Sequence, residues 1–433
     1  MTVRAVDRLG FDTRQVHAGQ NLNGEHGARI TPIYLSNGFL FDDFDQAADR
    51  MTGRTPSYIY SRNANPTNSV AEAGLASLDG GSSAILVGSG QAAIAVALLA
   101  LVGAGDHVLV APSIYEGTRE LFRTDMARLG IEFEFVLDSN DVDDWRRRIR
   151  PSTKAFFAET IPNPKNEILD IEPVTGLAHE HGIPVVIDNT IATPYLIRPI
   201  EHGADIVVYS TSKLLTGHGA SIGGAIVDAG RFDWRANVER FPQFHARTLG
   251  SSGESFLDAF EGDVFSAYAR GRTAASYGPH LSPLHAFLLL QGVETLSLRV
   301  AKHVANAQAI AEFLDDRPEV ASVDYAGLPS SPHHALAERY LPRGAGSVFA
   351  FTLAGGLAAA RQLYDHVGLF SRMTHIGDTR SLILHPGTTT HARLTPDERA
   401  RAGIHPGLLR LSIGIESVDD LISDLEGALE HVR

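Results

Sequence analysis

Lys213 closes the strand-like run "DIVVYS" after four consecutive hydroxyl residues (Tyr209, Ser210, Thr211 and Ser212), and a glycine-rich segment, "TGHGASIGG", follows it. An apolar setting disfavours the ammonium form and leaves neutral amine, which can condense with an aldehyde. Three other polar features fall where apolar runs end. "GSGQAA", Gly88 to Ala93, is a glycine turn entering a helix, and free N–H groups at such a helix start suit a phosphate. Asp188 ends "PVVIDNT", where a carboxylate can keep a pyridine nitrogen protonated. Tyr115 in "SIYEGT" can stack on a planar ring. Taken singly, each has a simpler explanation: a snorkelling lysine, a turn without a ligand, a helix-capping aspartate, an aromatic plugging a core edge. Taken together, a Schiff-base lysine, a carboxylate and a phosphate cradle are the requirements of pyridoxal 5′-phosphate.

Such a site needs a scaffold that brings strand ends together. "SSAILVGSG", "HVLVAP", "FEFVL", "AFFAET", "PVVIDNT" and "DIVVYS" are short apolar, β-branched or aromatic runs with helical segments between most of them. That alternation predicts an α/β domain with a mostly parallel sheet covered on both faces, ligands lying at the carboxyl ends of its strands. Residues 1–65 lack sustained periodicity and read as an N-terminal arm contacting a neighbouring subunit. Residues 66–278 form the large domain, and residues 279–433 a C-terminal α+β domain. The latter opens with "SPLHAFLLLQGVETLSLRVAKHVANAQAIAEFL" and continues with strand candidates "VASVDYA", "SVFAFTL", "SLILHP" and "LLRLSIGI". Ser417 and Asp420 suggest a capping-box-like start for the last helix.

Composition sets outer bounds. The chain of 433 residues carries 37 basic and 51 acidic residues, a net charge of −14 that argues against nucleic acid or an anionic membrane as a main partner. It has no cysteine, which excludes disulfides, thiolate metal sites and cysteine nucleophiles. The most apolar run, "AAIAVALLALV", has 11 residues, against the roughly 20 of a membrane span. No secretion-signal pattern opens the sequence, so the expected compartment is the cytoplasm. The 19 histidines are scattered, and "SPHHAL" reads as a solvated loop, so no metal site is expected.

With these residues in place, the sequence resembles the Cys/Met-metabolism enzymes that use pyridoxal phosphate, the trans-sulfuration family. The matching motifs run along nearly the whole chain: "YSRNANPT" (Tyr60 to Thr67), "GSGQAA", "SIYEGT", "ETIPNP" (Glu159 to Pro164), "VVIDNT", "YSTSKLLTGHG", "SLILHP" and "LLRLSIGIE". The resemblance implies fold type I, the aspartate-aminotransferase-like fold, in a homotetramer built from catalytic dimers. It implies that Lys213 is the Schiff-base lysine and proton shuttle, Asp188 the partner of the pyridine nitrogen, and Tyr115 the stacking ring. Ser89, Gly90, Gln91, Ser210 and Ser212 then hold the phosphate, with Tyr60 and Arg62 reaching it from the neighbouring subunit. Asn163 stands beside the phenolic oxygen. Arg410 and Ser381 clamp the α-carboxylate of an amino-acid substrate, with Tyr60 also at the substrate.

Within the family, "SGQAA", "GHGASIGG", "LSPLHAFLLLQGVETLSLR" and "HPGTTTHARL" are most similar to O-acetylhomoserine sulfhydrylases. The implied reaction is γ-replacement, in which sulfide or a thiol displaces acetate from O-acetylhomoserine to give homocysteine, a step of methionine biosynthesis. Cystathionine γ-synthase or γ-lyase activity is an alternative, as is a larger or carbon nucleophile. Gly117 stands where methionine γ-lyases carry a cysteine, and Glu116 where glycine is usual. "YLSNGF" and the loop "FPQFHARTLGSSGESFLDAFEGD" also depart from the sulfhydrylase pattern, and all are expected to border the substrate channel. A non-catalytic cofactor-binding regulator is the alternative from another class. Such regulators usually carry a basic DNA-binding domain, and none is visible here.

Overall fold

The segment from Asn65 to Gly80 shows how local sequence sets one element. Asn65 caps helix α1 (Pro66–Asp79) by accepting from the Thr67 N–H at 2.9 Å, and proline at the first turn sacrifices no helical hydrogen bond. Gly80, at φ 79°, ends the helix in the left-handed conformation that glycine adopts without strain. The computed structural model describes residues 6, 8–20, 25–52, 55, 57–249, 253–260 and 262–432. Parts of the predicted arm and residues 250–252 and 261 of the divergent loop therefore lie outside the described residues.

The strands predicted for the large domain form one seven-stranded sheet. They are β1 (Ser83–Val87), β2 (His107–Val110), β3 (Glu132–Phe135), β4 (Thr153–Glu159), β5 (Val185–Asp188) and β6 (Ile206–Ser210). A seventh strand, β7 (Gly224–Asp228), was not among the predicted runs. It lies antiparallel between β1 and β6, and the sheet order is β1-β7-β6-β5-β4-β2-β3, otherwise parallel. Strands β4 to β7 are almost wholly buried, as a sheet covered on both faces requires. Helix α2 (Gly90–Leu101) is apolar nearly all round and correspondingly buried.

The C-terminal helical stretch is two helices, α3 (Pro283–Val293) and α4 (Leu296–Asp315). A second sheet has the order β8-β9-β12-β11-β10. Its strands are β8 (Val320–Asp324), β9 (Val348–Leu353), β10 (Ser371–Arg372), β11 (Leu382–Leu384) and β12 (Leu408–Ser412). The final helix, α5 (Val418–Leu429), corrects one expectation: the Ser417 side chain makes no capping hydrogen bond. Its serine has ψ 126°, and the exposed acids Asp419 and Asp420 of the first turn favour the helix start through its dipole.

Helix α4 ties the sheets to each other. Arg299 donates to the carbonyls of Leu214 (2.8 Å) and Leu215 (3.3 Å), directly after Lys213. From the same helix, His303 bonds the Ile413 carbonyl and Asn306 those of Gly414 and Glu416, at the end of β12. The lysine loop and the Arg410 strand are thus fixed to one rigid rod. Within the predicted arm, Phe11 and Gln15 pack into this chain, Gln15 donating to Ser297. Between residues 28 and 51 the segment is largely exposed and apolar, including Leu35, Leu40 and Phe44.

Candidate active site

The carboxyl ends of β4, β5 and β6 place the chemistry. Glu159 and Asp188 end β4 and β5 as register partners, so their side chains lie on the same side of the sheet. Burial raises both carboxyls. Asp188 rises to about 6, opposed only by its bonds to Thr190, and Glu159 goes well above the usual range because Asp188 adds like charge. Glu159 accepts the Tyr115 N–H at 2.7 Å and so holds the start of the segment that carries the aromatic ring. This glutamate sits in the quoted motif "ETIPNP", yet nothing in its spacing marked it as a site residue. Its pairing with Asp188 is a fact of sheet register.

Lys213 lies in the turn after β6. Its N–H bonds the Ser210 carbonyl, and its own carbonyl accepts from Gly217 at 2.7 Å. Burial, and next the positive charge of Arg410, lower its amine to about 8. The desolvation inferred from sequence is present, with Arg410 and His375 as polar neighbours of the amine. The nearest polar side chain to Nζ is His375, at 3.1 Å.

At the start of α2, Ser89 caps the helix by accepting the Ala92 N–H at 3.1 Å, and no acidic residue occupies the first turn. Gly90 lies against Ser210: a Cβ there would stand 2.7 Å from Ser210 Cβ and 2.9 Å from its Cα. Gly90→Ala is expected to cost about 1–3 kcal/mol of stability, seen as a lowered Tm, because a well-packed junction must open. Gln91 lies beside Gly117, whose Cβ would also meet Tyr115 Cε1 at 2.5 Å. Glycine at 117 thus lets the tyrosine ring fold back over the chain, with nearly half of Tyr115 exposed. The Ser212 hydroxyl donates to the Gly223 carbonyl and accepts the Gly223 N–H at 3.0 Å.

Arg410, on β12, is 4% exposed. Its Nη1 donates to Asn163 Oδ1 at 3.0 Å and its Nη2 to the carbonyls of Thr374 and His375, each at 3.1 Å. Its Nε is buried with no hydrogen-bond partner among the described residues. Ser381, expected beside Arg410, is fully buried and engaged elsewhere. Its hydroxyl donates to Glu416 at 3.0 Å and accepts the Gly414 N–H at 2.9 Å. Tyr60 pairs with Gly38, and Arg62 lies over the Tyr60 ring and donates to the Ala275 carbonyl. Their described contacts do not include the residues around Lys213.

A cavity of about 770 Å³ is lined by Glu116, Arg119, Glu159, Asn163, Lys165 and His391, among others; it meets the strand ends at Glu159 and Asn163, while Lys213, Asp188, Tyr115 and Arg410 do not line it. Its size suits a small-molecule site. Glu116 lines it, with burial raising its carboxyl and Arg119 at 3.3 Å opposing that rise. The divergent loop instead packs Phe241, Phe244 and Phe256 into the core, and none of its described residues lines this cavity.

The residues fit pyridoxal phosphate by their charges. Asp188 and Lys213 are only partly exposed, and neither has an oppositely charged side-chain partner among the described residues. Buried charge in that state is costly unless a ligand supplies the complement. A pyridinium would answer the carboxylate, an aldehyde the amine, and a phosphate the N–H groups at Gly90 and Gln91.

Comparison with known proteins agrees with this fit. The chain is 42% identical over 430 residues to the O-acetyl-L-homoserine sulfhydrylase of Corynebacterium glutamicum, covering 99% of this chain and 98% of that protein. It is 41% identical to the homocysteine synthase of Schizosaccharomyces pombe, covering 98% and 99%. A crystal structure from Campylobacter jejuni, described as an O-acetylhomoserine (thiol)-lyase, superposes with a TM-score of 0.93 at 36% identity. That match covers 98% of this chain and 100% of the other, which carries N′-pyridoxyl-lysine-5′-monophosphate. Residues 12–430 match the family description "Cys/Met metabolism PLP-dependent enzyme", and the chain belongs to that family.

Proposed function

We propose that this protein is a pyridoxal-phosphate-dependent transferase that exchanges the γ-substituent of an O-acylated homoserine. The preferred reaction takes O-acetylhomoserine and sulfide, or a thiol, to homocysteine (or its thioether) and acetate. The observation that carries the reading is the partly buried Lys213 amine, lowered to about 8 by desolvation and then by Arg410, in the turn after β6 beside the β5 end that carries Asp188. The names of the full-length relatives point to the same substrate.

Each role follows from a side chain already described. Arg410 Nε, without a partner among the described residues in a guanidinium whose Nη groups are fixed by Asn163 and two carbonyls, offers a donor for the substrate α-carboxylate. Ser381 is a weaker candidate for that clamp, since Glu416 holds its hydroxyl. Lys213 takes the proton from the substrate Cα and is placed to move a further proton at Cβ, so that acetate leaves Cγ and the sulfur nucleophile adds there. Bound pyridoxal phosphate supplies the electron sink that makes these protons acidic. Asp188 would hold its ring nitrogen protonated, Tyr115 would offer a stacking ring, and Ser89, Gly90, Gln91, Ser210 and Ser212 would hold its phosphate. Tyr60 and Arg62 would complete the site from a second copy in a homotetramer of catalytic dimers. The exposed apolar side chains Leu35, Leu40 and Phe44 supply a surface for such a copy.

Incubating the protein and pyridoxal phosphate with O-acetylhomoserine and sulfide is expected to yield homocysteine and acetate, identified by mass. Dominant 2-oxobutyrate would show γ-elimination instead. No turnover would reject this donor–nucleophile pair and favour a larger nucleophile in the cavity beside Glu116.

A further inference from the structure

One side chain that no sequence motif singled out touches the lysine amine. His375 lies between β10 and β11, and three contacts fix its place. Its carbonyl accepts from Arg410 Nη2 at 3.1 Å. The Gly377 N–H donates to Ser412 Oγ at 2.8 Å, and a Cβ at Gly377 would meet Leu214 Cγ and N at 2.8 Å. Only glycine lets this loop lie so close to the lysine turn. The imidazole Nδ1 then stands 3.1 Å from Lys213 Nζ, while its Nε2 is buried with no partner among the described residues.

The charges around the ring fix its protonation. Burial and then Lys213 lower His375 to about 4, with Arg410 adding to the fall and Asp378 opposing it. Near neutrality the ring is therefore uncharged. Because Nδ1 faces an N–H donor, Nδ1 is the acceptor and Nε2 carries the hydrogen.

We infer that His375 is a positioning residue for Lys213, accepting one N–H of the amine and thereby directing the remainder of Nζ toward the cofactor and the substrate Cα. An amine free to rotate on a four-carbon stem loses directional preference, and small misplacements of a catalytic group are expensive in rate. The inference rests on Lys213 being the catalytic amine, and does not depend on which nucleophile the enzyme uses.

The test compares wild type with His375→Leu and His375→Ala, which lack an acceptor, and with His375→Asn, which retains one. In the cofactor-free full-length chain, acylation of Lys213 by a small amine-reactive reagent is followed against pH by mass spectrometry. Among the described residues, Arg410 and His375 are the polar groups that act on this amine. Losing the acceptor removes stabilisation of the ammonium, so the labelling midpoint should fall by about one pH unit in the Leu and Ala variants and stay near wild type in Asn. In the holoenzyme, kcat should fall about 10- to 100-fold in Leu and Ala with KM nearly unchanged, and recover largely in Asn. Coincident midpoints in all four proteins would overturn the inference. So would a rise in KM at constant kcat, which would make His375 a substrate contact. The labelling readout needs no substrate, so a failure of the sulfhydrylase reading leaves it intact.

Discussion

Lys213→Ala is expected to lower kcat by at least about 10⁴-fold, because it removes both the covalent anchor and the base at the substrate Cα. The variant should fold with a near wild-type Tm, since Lys213 is held through its backbone and the Arg299 contacts to Leu214 and Leu215 remain. Its absorbance should lack the lysine-linked cofactor band. Lys213→Arg keeps the charge and is expected to be equally inactive, since guanidinium does not deprotonate near neutral pH. Turnover above a tenth of wild type would place the base on another residue. The pH dependence has a defined sign. With the amine at about 8, roughly one lysine in ten is neutral at pH 7 and nine in ten at pH 9. Capture of pyridoxal phosphate by the cofactor-free chain should therefore accelerate about ninefold across that interval. A flat rate would mean the amine is already neutral at pH 7.

The second large effect is expected from Asp188→Asn. Removing one partner of a buried ion pair costs about 3–5 kcal/mol, so pyridoxal phosphate should be held about 10²- to 10⁴-fold more weakly, as measured by equilibrium dialysis. Asp188 is raised to about 6 by burial, so wild-type affinity should fall as pH drops through 6, where the carboxylate takes up a proton. The Asn variant should lose this dependence. The cofactor-free variant should be at least as stable as wild type at pH 8, because a buried and unpaired carboxylate is gone. Full cofactor affinity in Asp188→Asn would shift the anionic role to Glu159, its register partner.

Much of the candidate site's placement at strand ends was legible in the sequence, for a physical reason. A parallel sheet directs the carboxyl ends of its strands to one edge, so polar residues that terminate apolar runs converge without detailed knowledge of packing. Lys213, Asp188 and the turn at Gly90 are of this kind. Tyr115 follows a similar run and is anchored by the Glu159 carboxyl. The central strands of the large sheet were legible because buried parallel strands are continuous apolar runs, while β3, an edge strand reading EFEF, was marked by its aromatic residues. Strand β7 was missed although "GAIVD" is apolar, because it follows a glycine-rich stretch that reads as loop and pairs antiparallel between β1 and β6.

What periodicity could not give was contact between distant segments. The Lys213–His375 contact spans 162 residues and depends on a glycine-permitted approach of one loop to another. Ser381 shows the opposite case: a residue of the right type in the right motif, whose hydroxyl is claimed by Glu416 across the end of β12. Ser417 likewise has a capping residue's identity without a cap's hydrogen bond, since backbone geometry decides whether the side chain reaches its N–H. By itself, the sequence determined the family, the cofactor and the strand ends at which the candidate site residues lie. Tertiary structure alone decided which charges and donors lack partners among the described residues and which side chain stands beside the lysine amine, because these depend on packing between segments that only the folded chain brings together.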